Sequence, residues 1–240
     1  MKNLDAIARY LSIQAAQMKI GERDSGGKPR PFVTISRQAG AGGHALADIL
    51  LEVFAAQEDS DLFGGWRVFD RRLCEIVAEH PTYKNSMPSL LNEEYRHKAH
   101  DFFHQIFHST VDQDVLMAEV FRVVRTVAEV GKSVIVGRAG SEVTRGQAPG
   151  VSVRLIAPED VRIQGVMDFY GLDEKTARAE ATKLDLARAR LLKTHFKADI
   201  DDPLLYDAVW NTGDVSVDVI AECIVQMLRH RVANLVGATP

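Results

Sequence analysis

Val33-Thr34-Ile35-Ser36-Arg37-Gln38-Ala39-Gly40-Ala41-Gly42-Gly43-His44 runs from a β-rich segment through a glycine-rich turn into a helical one. The run Phe32 to Ile35 predicts a short strand, and His44 to Ala56 (HALADILLEVFAA) predicts the helix. In such a turn successive backbone N–H groups converge on an anion at the positive end of a helix. Its place at the first strand end is where α/β proteins put their ligand crevice. The turn lacks the pattern G-x-x-x-x-G-K-[ST]: Arg37 stands for the first Gly, Gly43 for the Lys, and His44 or Ala45 for the Ser/Thr. Spacing alone therefore reads as an anion-binding turn or a plain tight turn.

Outward from this turn, short apolar runs alternate with helical stretches. Strands are expected at Trp66–Phe69, Ser133–Val136, Val151–Ile156 and Ala208–Trp210. Helices are expected at about Arg72–Glu79, Ser89–Val130, Pro158–Phe169, Glu174–Lys193 and Ser216–Leu228. This alternation predicts an α/β fold, a parallel sheet covered by helices on both faces. At the N-terminus, Leu4, Ile7, Ala8, Leu11, Ala15 and Met18 recur at helical spacing over residues 3–19, before a polar Gly/Pro linker from Gly21 to Pro31. That helix either docks on its own domain or forms a contact with a partner, a homodimer included.

Composition excludes several classes. The 240 residues are 46% hydrophobic and 26% charged, which excludes disordered and fibrous proteins. The apolar runs are too short for a membrane span. Asp5, Arg9 and Gln14 interrupt what would be a signal segment, so a cytoplasmic protein is expected. Two cysteines, Cys74 and Cys223, make neither a disulfide framework nor a metal knuckle. A net charge of −4 argues against general nucleic-acid binding, although basic charge can still be concentrated locally.

Four segments carry a family resemblance. Ile35-Ser36-Arg37-Gln38…Gly40-Ala41-Gly42-Gly43 is similar to the I-S-R-x-x-G-S-G-G turn of the cytidylate kinase-like family, a branch of the P-loop nucleoside monophosphate kinases. Phe69-Asp70-Arg71 resembles its Y-D-R, and Val134-Ile135-Val136-Gly137-Arg138 its V-I-V-G-R. Lys183…Asp185…Ala187-Arg188, Asp202-Pro203…Tyr206-Asp207 and Asn211-Thr212-Gly213 resemble K-x-D-x-A-R, D-P-x-x-Y-D and N-T-G. The resemblance implies a P-loop kinase fold over residues 31–236. It implies an acceptor-binding insert at about 72–130 and a lid at about 170–200, with residues 1–30 as an N-terminal helix and linker. It implies an ATP- and Mg²⁺-dependent kinase of CMP or dCMP. The alternatives are a nucleotide-binding regulatory protein without turnover and a kinase of another small acceptor.

The same resemblance assigns roles to single residues. Ser36, Arg37, Gly40, Ala41, Gly42, Gly43, His44 and Asn211 would bind ATP, with Asn211 either beneath the adenine or in a simple turn. Asp70, Arg138 and Asp185 would bind the acceptor; Asp70 alternatively contacts metal-bound water or caps its strand end, and Arg138 alternatively makes a structural salt bridge. Arg37, Lys183 and Arg188 would act in catalysis, and Arg190 joins them as a further cation of the same helix. Phosphoryl transfer needs positioning and charge neutralisation more than covalent chemistry, which suits guanidinium groups. Residues 183–197 hold five Lys and Arg against Asp185 alone, a local +4 within an acidic chain. This run is either a cationic lid or a solvated face. Two departures stand out: His44 replaces the family's Arg after the paired glycines, and Ala139 replaces the Asp after Arg138. With His44 there, Arg37 is the permanent cation of the turn. His97, His100, His104 and His108 share one arc of a helix, but one helix rarely completes a metal site, and no resident metal is expected.

Overall fold

A computed structural model describes residues 30–70, 110–147 and 149–237. Its centre is a five-stranded parallel sheet in the order β2-β3-β1-β4-β5. The strands are β1 (Phe32–Arg37), β2 (Arg67–Phe69), β3 (Ser133–Val136), β4 (Gly150–Ile156) and β5 (Ala208–Asn211). Every strand predicted from the sequence is present, within two residues at each end. The turn-bearing β1 lies in the middle, paired with β3 on one side and β4 on the other. The glycine turn therefore opens at the centre of the sheet's carboxyl edge.

The helices are α1 (Gly43–Ala55), α2 (Ser60–Phe63), α3 (Thr110–Val130), α4 (Gly140–Val143), α5 (Glu159–Tyr170), α6 (Glu174–Phe196) and α7 (Val217–Gly237). Two of them, the four-residue α2 and α4, were not expected, and α7 runs nine residues past its expected end. The expected helices at 3–19 and 72–79, the helical region before residue 110 and the histidine stripe lie outside the described residues.

Period-two alternation explains the two faces. Val33, Ile35, Val134 and Val136 point to one side, where they are buried against Leu46, Leu50 and Phe54 of α1 and Ile220, Ile224 and Leu228 of α7. Phe32 and Ile135 point to the other side, against Val120, Val124 and Val127 of α3 and Leu192 of α6. Strands buried on both faces read as continuous apolar runs, which is why Ser133-Val-Ile-Val136 carries no alternation. A third, smaller cluster joins α5 to α6: Ala39, Ile163, Val166, Ala177, Ala181 and Leu184. Through Ala39, this cluster seats the α5–α6 hairpin on the glycine turn. No described helix is long and apolar enough to cross a membrane.

Candidate functional site

The glycine turn is shaped by backbone demands. Gly40 and Gly42 both have left-handed φ values, +76° and +80°, and Gly42 caps α1. Gln38 N–H still pairs with Leu155 O at 2.9 Å, continuing the sheet, and the Gln38 side chain accepts from Ala157 N–H at 3.1 Å. A Cβ at Gly40 would overlap the Arg162 carbonyl, reaching its carbon at 2.7 Å, while a Cβ at Gly165 would lie 2.5 Å from Gly40 O. Helix α5 thus packs backbone to backbone on the turn, which only glycine on both sides permits. Ala41 is buried beneath the turn, and Thr212 donates its hydroxyl to Ala41 O at 3.3 Å. Among the described residues, the N–H groups of Gly40, Gly42 and Gly43 have no protein acceptor. They are donors presented to a ligand anion at a helix start.

Two cavities meet at this turn. The larger, about 380 Å³, lies between the turn and the α5–α6 hairpin, lined by Gly40, Gly42, Gly43, His44, Phe169 and Arg188 among others. The smaller lies at the carboxyl ends of β1 and β3, lined by Ser36, Gly137, Arg138, Ser141 and Leu192 among others. Arg37 and Arg188 line both. The Arg37 side chain is threaded between glycines: a Cβ at Gly43 would meet its Cγ at 2.8 Å, and one at Gly137 its guanidinium. Gly137, Arg138 and Ala139 all take left-handed φ, at +79°, +54° and +54°. Two of these are not glycine, and such strain persists only where the surroundings hold it, often at functional sites. It turns the chain abruptly off β3 at the mouth of the smaller cavity.

Arg188 is oriented by α6. Its Nη1 donates to Asp185 Oδ1 at 3.1 Å and to Arg37 O at 3.4 Å. Asp185 Oδ1 also accepts from Ala39 N–H at 2.7 Å, and Oδ2 from Arg162 Nη1 at 2.5 Å. Asp185, expected to bind the acceptor, is instead committed to the turn and two arginines. Lys183 and Arg190 lie elsewhere on α6, about 140° and 160° around the helix from Arg188 at 100° per residue. Lys183 pairs with Glu180 at 3.6 Å, Arg190 is exposed, and neither lines either of these two cavities. Of the expected lid cations, the structure brings only Arg188 to the turn.

His44 lines the larger cavity, stacked on Phe169 with centroids 5.4 Å apart and 13° between planes. Its Nε2 is 3.8 Å from Asp70 Oδ2, so Asp70 at the end of β2 faces the start of α1. Ser36, expected at the ATP phosphates, faces the smaller cavity instead. It accepts from Arg154 Nη1 at 3.0 Å and lies 3.3 Å from the Tyr206 hydroxyl. Asn211 closes its own turn, donating to Asp214 at 2.6 Å and accepting from Gly213 N–H at 3.0 Å, and it lines neither cavity.

Sequence reasoning missed Arg154 and Arg162. Arg154 is buried on β4, paired to Asp201 at 2.6 Å, its guanidinium 5.7 Å from the Tyr206 ring centroid. The signal was legible as an arginine inside the apolar run Val151–Ile156. Burial raises the Tyr206 pKa, and its hydroxyl donates to Ile200 O at 2.9 Å. Asp207 accepts from Ser152 N–H at 2.8 Å and pairs with Arg231. The D-P-x-x-Y-D segment thus braces β4 and β5.

The model of the cytidylate kinase-like family matches residues 32–214, three quarters of the chain. The chain belongs to the cytidylate kinase-like family. The match begins at the first residue of β1 and ends just past β5, so it contains every strand and the whole turn. No curated protein matches the chain. Among solved structures, an uncharacterized protein from Eubacterium ventriosum is similar with 23% identity and a TM-score of 0.60, covering 84% of this chain and 100% of its own. TT1252 from Thermus thermophilus is 16% identical with a TM-score of 0.50, covering 84% and 98%. A shikimate kinase from Bacteroides thetaiotaomicron is 12% identical with a TM-score of 0.47, covering 82% and 98%. At these identities the likeness is one of fold. The strand order and the turn after β1 give this cytidylate kinase-like protein the P-loop kinase fold.

Proposed function

We propose that the protein is a phosphotransferase that moves the terminal phosphoryl group of ATP to a nucleoside monophosphate, CMP or dCMP, giving the diphosphate. The observation that supports this most is the pair Arg37 and Arg188 in the wall shared by the two cavities. A phosphoryl group passing from a donor in the larger cavity to an acceptor whose phosphate reaches the smaller, about 40 Å³, crosses that wall. Charge spread over its equatorial oxygens would then meet two guanidinium groups already in place.

The remaining roles follow from position. The N–H groups of Gly40, Gly42 and Gly43 take the donor phosphates, with His44 at their edge. Arg138, at the mouth of the smaller cavity, takes the acceptor phosphate, for which a bidentate guanidinium is suited. Mg²⁺ arriving with ATP neutralises phosphate charge. Mg²⁺ keeps several waters and takes one or two carboxylates plus substrate phosphates, so the absence of a Ser/Thr after the glycines does not exclude it. Asp70, 3.8 Å from His44 at the start of α1, and Asp168, in the wall of the larger cavity, are the carboxylates placed for that task. We assign residues 170–200, the end of α5 with α6, as the lid, and the region 72–130 as the acceptor-binding insert.

A panel of nucleoside monophosphates assayed with ATP and Mg²⁺ tests this reading. Turnover with CMP or dCMP above the other acceptors is expected. ATP binding with no turnover on any acceptor would replace it with a regulatory nucleotide binder.

A further inference from the structure

The carboxylate of Asp185 is held as a ligand anion would be. One oxygen accepts from a backbone N–H of the glycine turn, at Ala39, and from Arg188; the other accepts from Arg162. All three side chains are partly shielded, with exposures of 27%, 22% and 15% for Asp185, Arg188 and Arg162. Their charges are therefore weakened by solvent but not abolished. Ala39 and Arg188 are at the same time walls of the larger cavity. The negative charge thus stands directly behind the surface that receives the donor's polyphosphate, which carries the same sign.

We propose that Asp185 is an internal counter-anion of the donor-phosphate site, a positioning residue that fixes Arg188 against the turn and weakens polyphosphate binding. This rests on the reading of the glycine turn as the donor site. The two effects have one origin. Pairing with Asp185 holds Arg188 in a single orientation, so no side chain need be ordered when charge develops. The same pairing cancels one of the two guanidinium charges of Arg162 and Arg188, leaving +1 where the arginines alone would give +2. An anion bound by a net +1 leaves faster than one bound by +2, which favours release of the spent donor. Arg162 is the second half of the device: without it, the carboxylate would cancel the whole charge of Arg188.

The test is calorimetric titration of inorganic tripolyphosphate and of ATP into the full-length protein, in parallel with melting curves. Asp185→Asn removes the charge while keeping an oxygen for Ala39 N–H. Like charges a few ångströms apart at a half-exposed site repel enough to predict roughly 3- to 30-fold tighter tripolyphosphate binding in this variant. The gain should shrink as salt is raised. Arg162→Gln should shift affinity the opposite way, severalfold weaker. A purely structural tether predicts that both substitutions weaken binding. Unchanged or weaker affinity in a well-folded Asp185→Asn protein overturns the proposal, as does undetectable tripolyphosphate binding by both it and the parent. Should Asp185→Asn melt too low to titrate, Asp185→Ser gives the same comparison. Turnover is a separate readout: an inactive parent whose Asp185→Asn variant binds tripolyphosphate more tightly would refute the kinase reading alone.

Discussion

Gly40→Ala exposes how closely the turn and α5 depend on each other. The substitution carries two costs that the structure separates. The first is backbone strain: at φ +76° an L-residue is left-handed, which costs about 1–2 kcal/mol. The second is steric. The new Cβ would lie 2.7 Å from the Arg162 carbonyl carbon and overlap its oxygen. Both atoms are main chain, so α5 must retreat from the turn, pulling on buried Ile163 and Val166. Overpacking of this kind costs about 1–3 kcal/mol, for a total of roughly 2–5 kcal/mol. Gly65→Ala is the internal control, because its φ is +80° but nothing lies within 4 Å of the added carbon. It should lose only the strain, about 1–2 kcal/mol. Urea unfolding followed by tryptophan fluorescence reads both, and ATP titration should show weakened binding for Gly40→Ala alone. A Gly40→Ala protein no less stable than Gly65→Ala, with parental ATP affinity, would refute the packing argument and the turn's part in binding.

Arg138→Ala leaves the left-handed backbone strain unchanged, since both residues carry a Cβ. Loss of a charge-assisted acceptor contact worth about 2–4 kcal/mol should lower kcat/KM for the monophosphate by ~30- to 1000-fold while ATP affinity stays put. A joint fall in both affinities would make Arg138 structural. Burial raises the Tyr206 pKa above its ordinary value of 10, so the folded state favours the neutral phenol. Its contribution is present below pH 10 and is lost as pH rises from there through the higher folded value. Alkaline unfolding titrations should therefore show a stability decline above pH 10 that is reduced in Tyr206→Phe, and an identical decline in both proteins would contradict the assignment. At neutral pH, that variant should lose about 0.5–1.5 kcal/mol with the hydrogen bond to Ile200.

The sheet and the turn were legible because both are local. Apolar runs such as Ser133–Val136 and Val151–Ile156 can bury both faces only inside a parallel sheet. Glycines at 40, 42 and 43 after a strand predict a positive-φ turn. Strand order was not legible, because placing β3 rather than β2 beside β1 depends on where the intervening chain crosses. Among site residues, composition did not show phase. Lys183, Arg188 and Arg190 look alike as a cationic run, but 100° per residue puts the first and last on the side of α6 away from Arg188. Arg162 was hidden because an arginine on an amphipathic helix ordinarily reads as solvated, and its partner lies 23 residues away. Ser36 and Asp185 were assigned to ligands because motifs do not reveal that Arg154, Tyr206 and the Ala39 N–H already engage them.

The role proposed for Arg188, in the wall between the cavities, is to act on the phosphoryl group in transit. Rapid-quench measurement of the chemical step in Arg188→Ala, with ATP and the best acceptor both saturating, tests it directly. A cation that works mainly in the transition state lowers the rate when removed and leaves ground-state binding nearly intact. A loss of ~10²-fold or more is expected, with dissociation constants for ATP and acceptor within severalfold of the parent. A variant that transfers phosphoryl at the parental rate would contradict it.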